Sequence, residues 1–128
     1  MSDLRPIGEP LMLDGVERHL LFTLNVIDAV QDHFECSLEE TISLLTDKRT
    51  SAAALKYMLM QLLNDEAERV KYSNPESELK KYNEQEIGWV ITQGNVLQVT
   101  VAILKAYGLS MPEVDEFASP NEQGGQNQ

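Results

Sequence analysis

The chain has few of the residues that usually form a zinc site: two histidines, His19 and His33, and one cysteine, Cys36. His33 and Cys36 are three positions apart, a spacing that lets two side chains share a face at a helix end. A zinc centre needs at least one or two further ligands, and none follows at a matching spacing. We interpret His33 as a surface residue and Cys36 as a loop or core thiol. We predict neither a metal site nor a cofactor.

Two pairs of carboxylates could in principle exchange protons with a substrate: Glu39 with Glu40, and Glu84 with Glu86. Both pairs fall in the first turn of a predicted helix, where negative charge interacts favourably with the helix dipole. The sequence contains no glycine-rich phosphate-binding pattern and no G-x-S-x-G nucleophile pattern. We therefore interpret the pairs as structural groups at helix ends, and predict that the protein is not an enzyme.

The length and net charge of the chain limit the remaining classes of fold and function. The chain has 128 residues, of which 42% are hydrophobic, enough for one domain with one core. Its 21 acidic and 10 basic residues give a net charge of -11. Such a surface repels phosphate backbones and anionic lipids, so we expect no nucleic-acid or membrane partner. It favours basic or amphipathic protein partners, or it serves solubility alone. A single cysteine fits a reducing cytoplasm.

Turn and capping residues divide the chain into elements. Asp14-Gly15 between apolar stretches predicts a β-hairpin over 9–23, because both central residues of a type I′ turn need positive φ. Helical periodicity then continues over about 25–108. The fold class is therefore α+β, mainly α: an N-terminal β-hairpin followed by about five helices in one compact domain, 1–110. Residues 111–128 are predicted to form an acidic and polar flexible tail.

The helix boundaries rest on single residues. Asn25 is expected to cap the first helix. Glutamates three positions after a capping residue predict two capping boxes, and two further N-termini and three helix ends follow from similar signals. The boxes are Ser37 with Glu40 and Asn83 with Glu86; Thr50 or Ser51 caps a long helix to about Val70; Gly94 breaks the next helix; Asn95 begins the last, and Gly108 ends it.

The last helix is apolar around nearly its whole circumference. A helix of that kind is buried on more than one side, which a small domain can achieve only in part. It is either the central helix of the core or a helix with one side against a partner. The long helix carries Tyr57 and Met60 away from its main leucine line, where they suit adaptable binding of apolar segments. The candidate protein-binding residues are therefore Tyr57, Met60, Leu97, Val101, Leu104 and Tyr107.

The order of three segments carries a resemblance. The hairpin "LMLDGVERHLLFTL" opens into "NVIDAVQDHFECSLEETISLL", and "NEQEIGWVITQGNVLQVTVAILKAYGLSMPE" follows later. Over residues 4–115 this pattern resembles the small tail assembly chaperones encoded by long-tailed phages and prophages of Gram-positive bacteria. The resemblance implies that the protein binds the tape measure protein, keeps it soluble and helps recruit tail tube subunits. It further implies residence in the host bacterial cytoplasm and absence from the mature virion.

Two other functions stay open. The chain could be a structural or oligomeric component of the virion, such as a tail-completion subunit, that uses its apolar helix as an interface between copies. It could also be an antitoxin-like protein whose acidic surface neutralises a basic partner. The sequence leaves open the oligomeric state, with a homo-oligomer among the options, and the role of the charged loop over 73–82.

Overall fold

The structure is a computed structural model that describes residues 7–110, with side chains described through Gly108. Residues 1–6 and the predicted tail, 111–128, lie outside the described residues. A hairpin followed by five helices confirms the predicted α+β, mainly α class. The elements are β1 (Glu9–Leu13), β2 (Val16–Leu20), α1 (Leu24–Phe34), α2 (Leu38–Leu44), α3 (Ser51–Ser73), α4 (Glu84–Val90) and α5 (Val96–Ser110).

The hairpin turns at the predicted dipeptide. Asp14 and Gly15 both have positive φ, 55° and 80°, as a type I′ turn requires. The strands pair antiparallel, and Leu13 lies opposite Val16 beside the turn. Because side chains alternate along a strand, one face of the hairpin is directed to the core. That face carries Leu11, Leu13, Arg18 and Leu20.

Helix α1 begins one residue before the predicted start, because Thr23 and not Asn25 caps it. Thr23 is extended, and its Oγ1 accepts a hydrogen bond from the Val26 amide. The predicted cap at Asn25 was wrong, since threonine two positions earlier supplies the same acceptor to the first turn. The helix ends at Glu35, whose φ of 56° turns the chain towards α2.

The two predicted capping boxes are confirmed. Ser37 and Glu40 exchange hydrogen bonds between side chain and amide at the start of α2, and Asn83 and Glu86 do the same for α4. The bond from the Ser37 amide, helped by the Ser37 side chain, lowers the pKa of Glu40. The bond from the Asn83 amide, helped by Lys80, lowers the pKa of Glu86.

Helix α3 is the centre of the domain and contacts α1, α2, α4 and β2. Its N-terminus lies at Thr50 as predicted, although the Thr50 side chain makes no capping bond there. The helix continues three residues beyond the predicted end at Val70. It stops at Ser73 because Asn74 precedes Pro75, and a residue before proline is disfavoured in the α region. Its buried stripe consists of Ala54, Leu55, Met58, Leu59, Leu62, Leu63, Glu66 and Ala67.

The charged segment between α3 and α4 is fastened along α3. The Asn64 side chain accepts a hydrogen bond from the Tyr82 amide at 2.7 Å and donates one to the Tyr82 carbonyl at 2.8 Å. Arg18 donates to the Lys80 carbonyl. Lys81 pairs with Glu68 on the surface. These contacts fix a segment that has no helix or strand of its own.

The ends of α4 and α5 differ from the prediction. Helix α4 stops at Val90, four residues before Gly94, where the Asn95 amide group donates to the Val90 carbonyl at 3.0 Å. Gly108 does not end α5, which continues to Ser110. A lone glycine costs a helix only about 1 kcal/mol relative to alanine, too little to force an end. No helix within residues 7–110 has the length and apolarity needed to cross a membrane.

Candidate protein-binding surface

Helix α5 is only half covered by the domain. Val99, Ala102, Ile103 and Ala106 form its buried side, against the hairpin and the rest of the core. On the opposite side Leu97 is 73% exposed and Val101 is 40% exposed. Positions 97 and 101 are one helical turn apart, so both side chains lie on the same face. The alternative that α5 is fully enclosed as a central helix does not hold for this face.

An open groove of about 570 Å³ runs between this face and strand β1. We call it the β1–α5 groove. Met12, 57% exposed, adds a third large apolar side chain to the groove. The hairpin contributes Glu9, Pro10, Leu11, Met12 and Glu17 to its lining. Helix α5 contributes Leu97, Gln98, Val101, Ala102 and Lys105, and Gly94 lines it from the loop before α5.

Leu104 and Tyr107, also predicted for binding, are half-buried and pack against the core. The Tyr107 ring meets the Phe22 ring edge-on, with centroids 6.4 Å apart. Neither residue lines the β1–α5 groove. Their contacts fix α5 relative to the segment between β2 and α1, so they position the groove wall and do not form it.

Tyr57 and Met60 lie elsewhere, where α3 packs on α1. The Tyr57 ring stacks on His33 at a centroid distance of 3.7 Å and meets Phe34 edge-on at 5.5 Å. Met60 is half-buried against the core. His33 is exposed, as expected of a surface residue, and one face of its ring stacks on Tyr57. The structure thus divides the six predicted binding residues between two separate regions, and a binding role for Tyr57 and Met60 stays a prediction.

A buried ion pair joins the hairpin to α3. Arg18 is 1% exposed, and its Nε donates to Glu66 Oε1 at 2.6 Å. The same guanidinium donates to the Leu63 carbonyl at 2.9 Å and to the Lys80 carbonyl. Because several acceptors surround it, the buried charge is well compensated. The pair anchors the hairpin, and through it strand β1, in one orientation on α3.

The second oxygen of Glu66 closes the outer edge of β2. Glu66 Oε2 accepts the His19 backbone amide at 3.1 Å. The His19 ring lies between two carboxylates, with Nδ1 3.4 Å from Glu66 and Nε2 3.1 Å from Glu17. These contacts hold the ring in place, whereas a proton-transfer site would also need a reacting group within reach.

A cavity of about 860 Å³ opens beside this network, between the end of β2 and the last turns of α3. Its acids are already engaged: Asp65 accepts from Thr23 Oγ1 at 2.9 Å and from Arg69 Nε at 3.0 Å. Within residues 7–110 no three histidine, cysteine or acidic side chains come together as a metal site. The arrangement secures the hairpin on α3.

The sequence reasoning did not identify the Arg18–Glu66 pair, although two patterns pointed to it. Glu66 follows Leu59 and Leu62 at helical spacing, so it continues the apolar stripe of α3. Arg18 precedes the buried Leu20 by two positions, so both lie on the inward face of β2. Two oppositely charged residues, each at a core position of its own element, predict a buried ion pair.

Comparison of the chain with protein-family models, with curated proteins and with solved structures finds no match.

Proposed function

We propose that this protein is a non-catalytic chaperone that binds an apolar segment of another protein through the β1–α5 groove. The observation that supports the proposal most directly is the exposure of Leu97, Val101 and Met12 along one groove. Large apolar side chains that line a common surface are typical of protein-interaction sites. The opposite side of α5 is packed in the core, so the exposed side is held rigidly.

The resemblance over residues 4–115 specifies the role. On that basis the protein is a phage tail assembly chaperone that binds the tape measure protein, keeps it soluble and helps recruit tail tube subunits. A net charge of -11 supports this role, because strong like charge keeps complexes apart from one another. The proposal places the protein in the host bacterial cytoplasm and outside the mature virion. Abundant peptides of this chain in purified particles would argue for a structural subunit instead.

The test compares two substitutions on α5 that differ in burial. Val101→Asp places a charge on the exposed side, so we expect the protein to stay folded and to lose its client. Ile103→Asp buries an unpaired charge at a fully enclosed position, so we expect unfolding. Circular dichroism melting reports the fold. Co-expression with a tape measure protein, followed by co-purification, reports binding.

Two results would contradict the proposal. One is a wild-type protein that neither raises the solubility of the tape measure protein nor co-purifies with it. The other is a folded Val101→Asp variant that binds the client as well as the wild type does. Leu97→Asp tests a second exposed position on the same face, so the conclusion about binding does not depend on the Val101 variant alone.

A further inference from the structure

Among residues 7–110, one edge of the two-stranded sheet has backbone groups without a hydrogen-bonding partner. The His19 amide donates to Glu66 and not to β1, so His19 and its opposite residue Pro10 form a non-hydrogen-bonded pair. Such pairs alternate with hydrogen-bonded ones in an antiparallel ladder, so Met12 and Glu17 form another. The Met12 amide and carbonyl therefore point away from β2, and no hydrogen bond within residues 7–110 engages them.

That free edge lines the β1–α5 groove. Four consecutive residues of β1, from Glu9 to Met12, contribute to the lining, whereas one face of a strand would contribute only alternate residues. The Leu97 and Val101 side chains form the facing wall. The groove therefore offers the Met12 amide and carbonyl and the Pro10 carbonyl on one side, and apolar contact on the other.

We propose that the β1–α5 groove binds an extended segment of the partner, which adds to β1 as a third strand. The inference rests on the proposed function and specifies the form in which the client is held. An α-helix has no free backbone groups along its length, so it cannot satisfy the Met12 amide and carbonyl. An extended segment can, and its alternate side chains would meet Leu97 and Val101.

The charges around the groove indicate which residues the bound segment carries. Glu9 and Glu17 lie at the hairpin side of the groove, against Lys105 on α5, and the whole chain carries -11. The segment therefore alternates apolar residues with lysine, arginine or threonine. The chain's own residues 111–128 include Glu113, Asp115 and Glu116, which the acidic hairpin repels.

The experiment uses the full chain and three labelled peptides, followed by fluorescence anisotropy. The first peptide alternates valine with lysine and threonine. The second has the same sequence with alternate backbone nitrogens methylated, which removes the donors but keeps the side chains. The third has the same net charge, but its apolar and polar residues follow the spacing of an amphipathic helix. We expect the first to bind, the other two to bind at least about tenfold more weakly, and the Met12 amide to gain protection from hydrogen exchange.

Two variants of the chain complete the test. Met12→Pro removes the free amide at an edge position where proline is tolerated, and Met12→Ala removes the side chain but keeps the amide. We expect about a tenfold weaker affinity for Met12→Pro than for Met12→Ala. Equal affinities, equal binding of the methylated peptide or preferred binding of the helical peptide would overturn the inference. Client co-purification by the wild type in those cases would leave the proposed function standing, and its absence would overturn both.

Discussion

Replacing Glu66 tests whether the buried pair fixes the hairpin on α3. In Glu66→Ala the Arg18 guanidinium keeps the Leu63 and Lys80 carbonyls as acceptors but loses the Glu66 carboxylate. The His19 amide also loses its acceptor. Removing one partner of a buried ion pair costs about 3–5 kcal/mol, because the other charge stays in the interior.

The stability lost in Glu66→Ala is large relative to the total free energy of unfolding. A small domain has a free energy of unfolding of about 5–15 kcal/mol, so Glu66→Ala should bring the protein close to unfolding. Urea denaturation followed by circular dichroism measures the change. Glu66→Gln keeps the size of the side chain and removes its charge, so we expect an intermediate loss of about 1–3 kcal/mol.

A double variant separates the charge from the contacts. Arg18→Met combined with Glu66→Leu removes both charges and fills similar volume, so it should be much more stable than Glu66→Ala alone. The His19 amide would still lack an acceptor, at a cost of about 1 kcal/mol. A loss below about 1 kcal/mol for Glu66→Ala, or a double variant no better than the single one, would refute the reasoning.

Two further predictions concern the helix caps and the glycines. The lowered pKa values of Glu40 and Glu86 mean that their stabilisation is complete above the ordinary value of 4.5 and is lost as the pH falls through the folded values. In the double variant Glu40→Gln, Glu86→Gln the urea midpoint should therefore fall less steeply with decreasing pH below 4.5 than it does in the wild type. The same pH dependence in both proteins would contradict this. Gly8→Ala should destabilise more than Gly15→Ala. Both glycines have positive φ, but only at Gly8 would a Cβ lie 2.6 Å from the Leu20 carbonyl oxygen. Equal melting temperatures would count against that contact.

The fold followed from the sequence where local chemistry decides it. Asp14-Gly15 needs no tertiary partner to turn a hairpin, and a capping box satisfies its own helix end. The errors arose where distant residues intervene. Asn95 takes the Val90 carbonyl and ends α4 early, and Gly108 stays within α5 because one glycine costs too little to end a helix.

The candidate surface was predictable only in part. The apolar circumference of α5 indicated excess apolar surface, and Leu97 and Val101 are indeed exposed. Which side is free depends on where the hairpin packs, and that depends on the Arg18–Glu66 contact across 48 positions of sequence. Periodicity within one helix carries no information about such a contact. Met12 joins the groove for the same reason, since its neighbour across the groove is set by tertiary packing.

The two edges of the hairpin limit how far any assembly can grow. The outer edge of β2 faces α3 and its His19 amide is already bound by Glu66, whereas no hydrogen bond within residues 7–110 engages the Met12 amide on the outer edge of β1. A second copy that pairs through its own β1 about a twofold axis joins the two β1 edges to each other and leaves β2 at both ends of the resulting four-stranded sheet. That arrangement leaves no β1 edge for a further copy. Association of copies through β1 is therefore self-limiting, with closed dimers and no filaments.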